Sequence, residues 1–382
     1  MSVVFINCTG ETFTPANSGA IATWVYELSR AAEVDGRRPL VITRSSPHPQ
    51  YDRPGTVYLD YPRLEWARVM RKFFHLQERF AGWQHPRHRK WFESIVGAIE
   101  KAGAANMPMV LSNDPELAVW LRQRFPKAFI FHNAHNNNTS PTWFRSRFGA
   151  SVNVAAACSG FAARWNESYF ALPAGKIQTL YNGVDVEAFM PRQGAGDSIP
   201  LINYVGKTDP IKGPDLLLKA AALLSKKTRE FAIQIVGRKF YDRDCDDGYQ
   251  RELAELAGQL RKDGIEVSFT GWISRPDLPR ILGRAHINVT PSRWDEPFGL
   301  TTLEAMSCGM ATIGSRTGGT PEVIGEAGLL FEREDVGGLA NHLETFVCDR
   351  DLRVRYGAMA RARSEDFSWR HVWNRMKEMI GL

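Results

Sequence analysis

Residues 287–309 read INVTPSRWDEPFGLTTLEAMSCG, a succession of strand, turn and helix. Ile287–Thr290 is rich in β-branched residues and reads as a strand. Pro291, Ser292 and Pro297 then break regular structure, and Gly299 permits dihedrals closed to other residues. Past the turn the spacing predicts a helix, with Thr301 or Thr302 as cap, Leu303 and Met306 on one face, and Gly309 as the stop. Glu296 stands in the turn and Glu304 inside the helix. A Gly-containing turn feeding a helix N-terminus offers unpaired amides and a partial positive charge, which suits phosphate. Carboxylates flanking such a site suit the hydroxyls of a sugar or ribose. An ordinary buried loop and helix has the same pattern, so the rest of the chain must decide.

The chain has 382 residues, 43% hydrophobic and 24% charged, which implies about two domains with sizeable cores. No apolar run approaches the roughly 20 residues of a membrane span. The start, SVVFINCTG, lacks a basic flank and reads as a first strand rather than a signal peptide. Cys8, Cys158, Cys245, Cys308 and Cys348 are scattered and form no CxxC pair, which points to a reducing cytoplasm and away from structural zinc. The net charge of +6 suits acidic partners such as nucleotides, phosphates or anionic lipid.

Outward from residues 287–309, the same alternation repeats. Val3–Asn7 reads as a strand, Ala20 to about Gly36 as a helix and Pro39–Thr43 as a strand, an opening that implies a parallel sheet. The turn around Ser18 and Gly19 lies on the ligand-facing edge of such a sheet but lacks GxGxxG. Residues 63–92 interleave cations with aromatics, including Arg63, Arg68, Arg71, Trp66, Phe73, Trp83 and Trp91. They read either as a helix packing its aromatics on the sheet or as a patch for an anionic membrane or charged acceptor, with nucleic acid disfavoured for want of a motif. Met109–Ser112 and Ala128–Phe131 read as strands, the second running into a polar cluster that contains His132, His135 and Asn136. No acidic or cysteine partner accompanies HxxH there, so no metal site is expected. Val152–Ser159 and Thr179–Asp185, the latter a strand ending in an Asn-Gly turn, complete a first domain, and Pro191–Pro200 reads as the linker. Beyond it, strands at Leu201–Val205, Phe231–Val236, Ile265–Thr270, Ala311–Ser315, Gly318–Thr320 and Leu329–Phe331 alternate with helices at Asp215–Leu224, Tyr249–Leu260 and Arg275–Ala285 and from Asp335 onward. Gly206-Lys207-Thr208 lacks the earlier glycine of a P-loop, since Leu201 occupies that position.

Together, SGAIATWVYELSRAAEVDG, YNGVDVEAFMP, YVGKTDPIKGPDLLLKA, VSFTGWISRPDLPRILGRAHINVTPS, EPFGLTTLEAMSCG and GGTPEVIGEAGLLF resemble, in order, the retaining family-4 glycosyltransferases. The resemblance implies an α/β chain of the GT-B fold, with two Rossmann-like doubly wound domains facing across a cleft. The acceptor-binding domain would span residues 1–190 plus a crossover helix at 367–382, and the nucleotide-sugar-binding domain residues 200–366. It further implies that Glu296 meets donor sugar hydroxyls, that Glu304 holds the ribose, and that Lys207 and Lys212 face the diphosphate. Phe298, Gly299 and Leu300 would contribute backbone amides, and Gly19 a further donor contact. Trp272 would lie by the nucleobase. His135 would be the acceptor-side histidine, with His132 as the alternative and Asn136 nearby. Lys207 stands where the family usually has Arg, and Ser18 replaces the first glycine of its GG loop. The implied activity is retaining, metal-independent sugar transfer from a nucleoside diphosphate sugar, UDP-sugar favoured, with no cofactor. The acceptor would be a glycan, lipid-linked or small molecule, in cytoplasmic bacterial polysaccharide or glycoconjugate synthesis. The alternatives are a glycoside hydrolase using the two glutamates and a non-catalytic nucleotide-sugar binder.

Overall fold

Val3–Ile6 (β1) is apolar at every position and buried throughout, as a strand covered by helices on both faces must be. The computed structural model describes residues 2–15, 18–61, 86–138, 144–191, 199–238 and 248–382. After β1 come Ala20–Val34 (α1), Pro39–Arg44 (β2), Thr56–Leu59 (β3), Pro86–Lys101 (α2), Met109–Ser112 (β4) and Pro115–Arg124 (α3). Ile130–Ala134 (β5), Arg145–Ser151 (α4), Val154–Ala157 (β6), Gly160–Phe170 (α5) and Ile177–Thr179 (β7) follow. The strands form one parallel sheet in the order β3-β2-β1-β4-β5-β6-β7, so the chain reverses its winding between β1 and β4.

A second sheet starts at Leu201–Val205 (β8), followed by a 3-10 turn at Pro210–Lys212, Pro214–Leu224 (α6), Ala232–Val236 (β9), Gly248–Lys262 (α7) and Glu266–Gly271 (β10). Next come Leu278–Leu282 (α8), Ile287–Thr290 (β11), Leu300–Ser307 (α9), Ala311–Ser315 (β12), Thr320–Ile324 (α10) and Gly328–Phe331 (β13). Val336–Cys348 (α11) and Arg350–Glu365 (α12) close it. This sheet is also all parallel, in the order β10-β9-β8-β11-β12-β13, with its reversal between β8 and β11. Its core is built from Leu216, Leu217 and Leu224 of α6, Leu339, Leu343 and Phe346 of α11, and the inward residues of the strands.

The chain divides into a unit of residues 1–182 with 369–382, and a unit of residues 183–368. The division at Gly183 precedes the Pro191–Pro200 stretch because the intervening segment belongs to the second unit. There Val184 bridges to Ser368, and the carbonyl of Phe189 accepts from Ser307 Oγ and Arg361. The last helix, Trp369–Ile380 (α13), lies in the first unit, where Trp373 packs near Phe5 and Lys377 pairs with Asp35.

Four expected elements differ. The strand expected over Thr179–Asp185 lies earlier, at Ile177–Thr179 (β7), and ends where the reading began. β5 runs past Phe131 and takes His132 and Asn133 into the strand. The Arg275–Ala285 helix is shortened to Leu278–Leu282, starting after Pro276 and ending at the C-cap Gly283. Gly318–Thr320 is a turn opening α10 rather than a strand.

Gly213 lies between the 3-10 turn and α6 with φ +68°, and a Cβ on it would stand 2.1 Å from the carbonyl oxygen of Pro291. Gly36 has a similar φ of +74° but open space around it. Gly36→Ala should therefore cost only the backbone strain, about 1–2 kcal/mol. Gly213→Ala should cost about 2–4 kcal/mol because a backbone clash is added. Urea melts of the two variants check this, and equal losses would contradict the close approach of the two loops.

Candidate active site

β8 and β11 are neighbours, so the loops leaving their C-terminal ends meet at the reversal point of the second sheet. The amides of Arg293 and Trp294 donate to the Ile211 carbonyl at 2.9 and 3.0 Å, which zips the loop after β11 onto the 3-10 turn. Arg293 also forks onto Asp215 with two bonds of 2.8 Å and donates to the Pro210 carbonyl at 2.7 Å. Burial alone would raise the Asp215 pKa, but Arg293, Tyr249 and Lys219 outweigh it and hold the carboxyl well below the usual range. Lys212, at the end of the turn, donates to Glu296 Oε1 at 2.5 Å, and Ser292 Oγ donates to the same oxygen at 2.9 Å. Glu296 is also fixed from behind, since its carbonyl accepts from the Gly319 amide at 2.7 Å. At Gly318, with φ +53°, a Cβ would lie 2.2 Å from that carbonyl oxygen. Two residues 84 apart in sequence are thus held together by three loops.

The helix after Glu296 is capped differently from the expectation. Gly299, with φ +100°, is the N-cap of α9, while the Thr302 hydroxyl pairs with that of Thr290 at 2.9 Å. Phe298 is buried and meets Phe367 edge to face, and Leu300 opens the helix. Glu304 is fully buried on α9, and Arg275 Nη1 stands 2.8 Å from its Oε1. Burial raises the Glu304 pKa and Arg275 opposes that rise. Arg275 was not singled out from the sequence, although it lies within the conspicuous stretch after Gly271. Lys207 is exposed in the loop after β8, where Tyr204 Oη donates to its carbonyl at 2.6 Å. Trp272 is half exposed beyond the end of β10, two strands away from β8.

In the first unit, the longer β5 decides what its histidines can do. His132 and His135 sit on opposite faces of the extended segment, because side chains alternate. His132 packs edge-on against Phe148 and His135 edge-on against Trp24, each at 5.0 Å. Asn133 Nδ2 lies 3.3 Å from His135 Nε2. Burial pushes both imidazoles down to about 3, with the neighbouring His135 adding to the effect on His132. Both are therefore neutral at pH 7, and among the described residues no group of three His, Cys, Asp or Glu could hold a metal. Asn136 is exposed, and its amide and that of His135 both donate to the side-chain oxygen of Asn113 at 3.2 Å. Gly19 precedes α1, and a Cβ there would lie 2.4 Å from the Glu11 carboxyl carbon. Glu11 Oε2 accepts from the Ala22 amide at 2.8 Å, so the chain's own carboxylate caps α1. Glu11 and Asn113 were missed in the sequence. An Asn at the end of a strand is a weak signal, and Glu11 lies eleven residues before the amide it caps.

Of the basic, aromatic stretch 63–92, residues 63–85 lie outside the described residues. Trp91 and Phe92 are buried on α2, as core aromatics would be, and Arg89 pairs with Glu93. Among the described residues no helix is long and apolar enough to cross a membrane.

Residues 185–363 match the family model described as Glycosyl transferases group 1. The second unit is a group 1 glycosyl transferase domain. Spore coat protein SA of Bacillus subtilis is 26% identical over 303 residues, covering 74% of this chain and 79% of the relative. A D-inositol 3-phosphate glycosyltransferase of Corynebacterium jeikeium is 31% identical over 210 residues, covering 50% and 48%. The matches span about half the length of most of the curated relatives. Among solved structures, sucrose-phosphate synthase from Thermosynechococcus elongatus aligns with TM-score 0.73 and 20% identity, covering 99% of this chain and 98% of that one. Anabaena HepE in complex with UDP aligns with TM-score 0.71 and 17% identity over both full chains. The fold is GT-B.

In the second unit the reversal point brings together the Lys212 ammonium, the partly buried Glu296 carboxylate and the N-terminus of α9. That set can meet an anion and hydroxyls together. The neutral histidines of the first unit, by contrast, can offer a hydrogen bond but no charge.

Those histidines also give the fold a pH dependence. Their folded pKa is depressed, so below about pH 6.5 the unfolded chain takes up protons that the folded chain refuses until about pH 3. Stability should fall through that window by on the order of 3 kcal/mol per histidine at pH 4. His132→Gln should flatten the difference between urea melts at pH 7 and pH 4, and an unchanged difference would contradict the burial argument.

Proposed function

We propose that the protein is a retaining glycosyltransferase that moves a sugar from a nucleoside diphosphate sugar, a UDP-sugar first, to a glycan, lipid-linked or small-molecule acceptor. The observation that carries this reading is the Lys212–Glu296 pair, fixed beside the N-terminus of α9 at the reversal point of the second sheet. Breaking the bond between sugar and phosphate puts negative charge on the departing diphosphate. Lys212, the more exposed Lys207 and the amides at Phe298, Gly299 and Leu300 are suited to stabilise it without a metal. Glu296 would hold sugar hydroxyls and Glu304 the ribose hydroxyls, with Arg275 sharing the buried carboxylate. The acceptor hydroxyl would attack the anomeric carbon from the face the diphosphate leaves, and its proton would pass to the departing phosphate. His135 would help position donor or acceptor as a neutral imidazole, and Gly19 would keep the α1 loop close. The UDP preference is supported by the structural neighbour HepE, whose structures hold UDP and UDP-glucose.

The relatives' names, among them sulfoquinovosyl transferase and O-antigen chain mannosyltransferase, point to transfer of diverse sugars. They are in keeping with polysaccharide or glycoconjugate assembly as the setting. A glycosidase reading is disfavoured because each glutamate is already committed to a cation, Glu296 to Lys212 and Glu304 to Arg275. A lipid-linked acceptor would bring the chain to a membrane surface, for which the composition of residues 63–92 is suited. Flotation with phosphatidylglycerol vesicles but not with phosphatidylcholine vesicles is the expected result, and equal behaviour with both would remove that role.

Lys212→Ala and Glu296→Ala should each lower kcat/KM for sugar transfer by about 10²–10³-fold while leaving the urea midpoint nearly unchanged. Full activity in either variant would overturn the site. UDP should raise the melting temperature of the wild type and raise it less in Lys212→Ala, whereas a glycosidase or an unrelated binder would show no nucleotide effect.

A further inference from the structure

The loop after β8 carries Lys207, and its backbone is tied down at two successive carbonyls. Tyr204 Oη donates to the Lys207 carbonyl at 2.6 Å. Gln250 Nε2, near the start of α7, donates to the Thr208 carbonyl at 2.7 Å and lies 3.3 Å from the Thr208 hydroxyl. Tyr204 is 2% exposed and belongs to the core of the second unit. Burial, with Tyr249 and Glu296 adding to it, pushes the phenol well above its usual range, so the hydroxyl keeps its proton and remains a donor. The residue before Lys207 is held as well, since the Gly206 amide donates to the Val236 carbonyl at 3.0 Å. A Cβ on Gly206 would stand 2.9 Å from Tyr204 Oη, and one on Gly237 would stand 1.9 Å from the Gly206 carbonyl oxygen. Glycine at these two positions lets the phenol reach the turn and lets the loops after β8 and β9 touch.

None of these bonds is made by the Lys207 side chain, and Lys207 is exposed. A lysine carries a compact charge on a flexible stem and lacks the planar fork with which an arginine fixes its own geometry on phosphate. Ordering such a side chain on a ligand costs rotamer entropy, and a mobile backbone beneath it would add to the loss. With the turn held from below, only the side chain is left to order. The preorganisation that a lysine does not bring is thus supplied by a buried phenol and an amide on separate elements.

We propose that Tyr204 and Gln250 are positioning residues for Lys207, holding its turn so that a flexible ammonium selects a nucleoside diphosphate over a monophosphate. That Lys207 faces a diphosphate rests on the transferase reading above. Tyr204 acts only through the turn.

The test is a double-mutant cycle read by nucleotide affinity. The probe is whichever of UDP, GDP and ADP raises the melting temperature of the wild type most, with its monophosphate as the comparison. Tyr204→Phe removes one hydroxyl and keeps the packing. It should weaken diphosphate binding by about three- to tenfold and monophosphate binding by less than about twofold. Lys207→Ala should show the same pattern at equal or larger size. With Lys207 already replaced, adding Tyr204→Phe should change diphosphate affinity by less than about twofold. Gln250→Met, which keeps the length of the side chain without its donor, is an independent arm with the same expectations and stands in if Tyr204→Phe does not fold. Unchanged diphosphate affinity, equal weakening of both nucleotides, or losses that multiply in the double variant would overturn the proposal. Binding that Lys212→Ala weakens and Tyr204→Phe does not would sink the proposal alone. No effect of any nucleotide on the wild type would sink the transferase reading and the proposal with it.

Discussion

The carbonyl of Pro291 lies where a side chain on residue 213 would have to be, and only glycine permits that approach. Much of the second unit's chemistry depends on this contact. It presses the loop after β11 onto the turn after β8, and the Ile211 carbonyl then collects the amides of Arg293 and Trp294. Arg293 anchors the assembly to Asp215, a carboxylate held in its charged form by three partners. The outcome is a lysine and a glutamate whose positions are set by backbone rather than by their own attraction. A partly exposed ion pair alone would be worth little, so the preorganisation comes from the loops.

The first unit solves a different problem with the same topology. Its reversal point carries carboxylates, amides and neutral imidazoles where the second carries lysines. Two doubly wound sheets with one winding order therefore carry different sets of side chains at their ligand-facing ends. That contrast fits a transferase, which must stabilise a leaving anion on one substrate and recognise hydroxyls on the other.

The fold was legible because buried parallel strands leave a strong mark: Met109–Ser112, Ile287–Thr290 and Ala311–Ser315 match the sequence reading to the residue. Polar or half-exposed elements left a weaker one. Thr56–Leu59 is only partly buried along its length, and α12 is so rich in arginine that its apolar face hardly shows, so neither was read. The start of α3 was announced only by Asp114 before Pro115, a cap that matters once the carboxylate is seen to accept from the Leu117 amide. Lys212 and Glu296 were readable as a pair only through the ordered motifs around them. Arg275, Arg293 and Glu11 act through partners far along the chain, Glu304, Asp215 and the Ala22 amide, and at such separations a single sequence carries no local signal.

A crystal structure of the protein with an intact UDP-sugar tests the central claim most directly. The account predicts the diphosphate within hydrogen-bond distance of Lys212 Nζ and the sugar hydroxyls on Glu296, at the ends of β8 and β11. A nucleotide sugar bound elsewhere, with the Lys212–Glu296 pair undisturbed and facing no ligand, would contradict it.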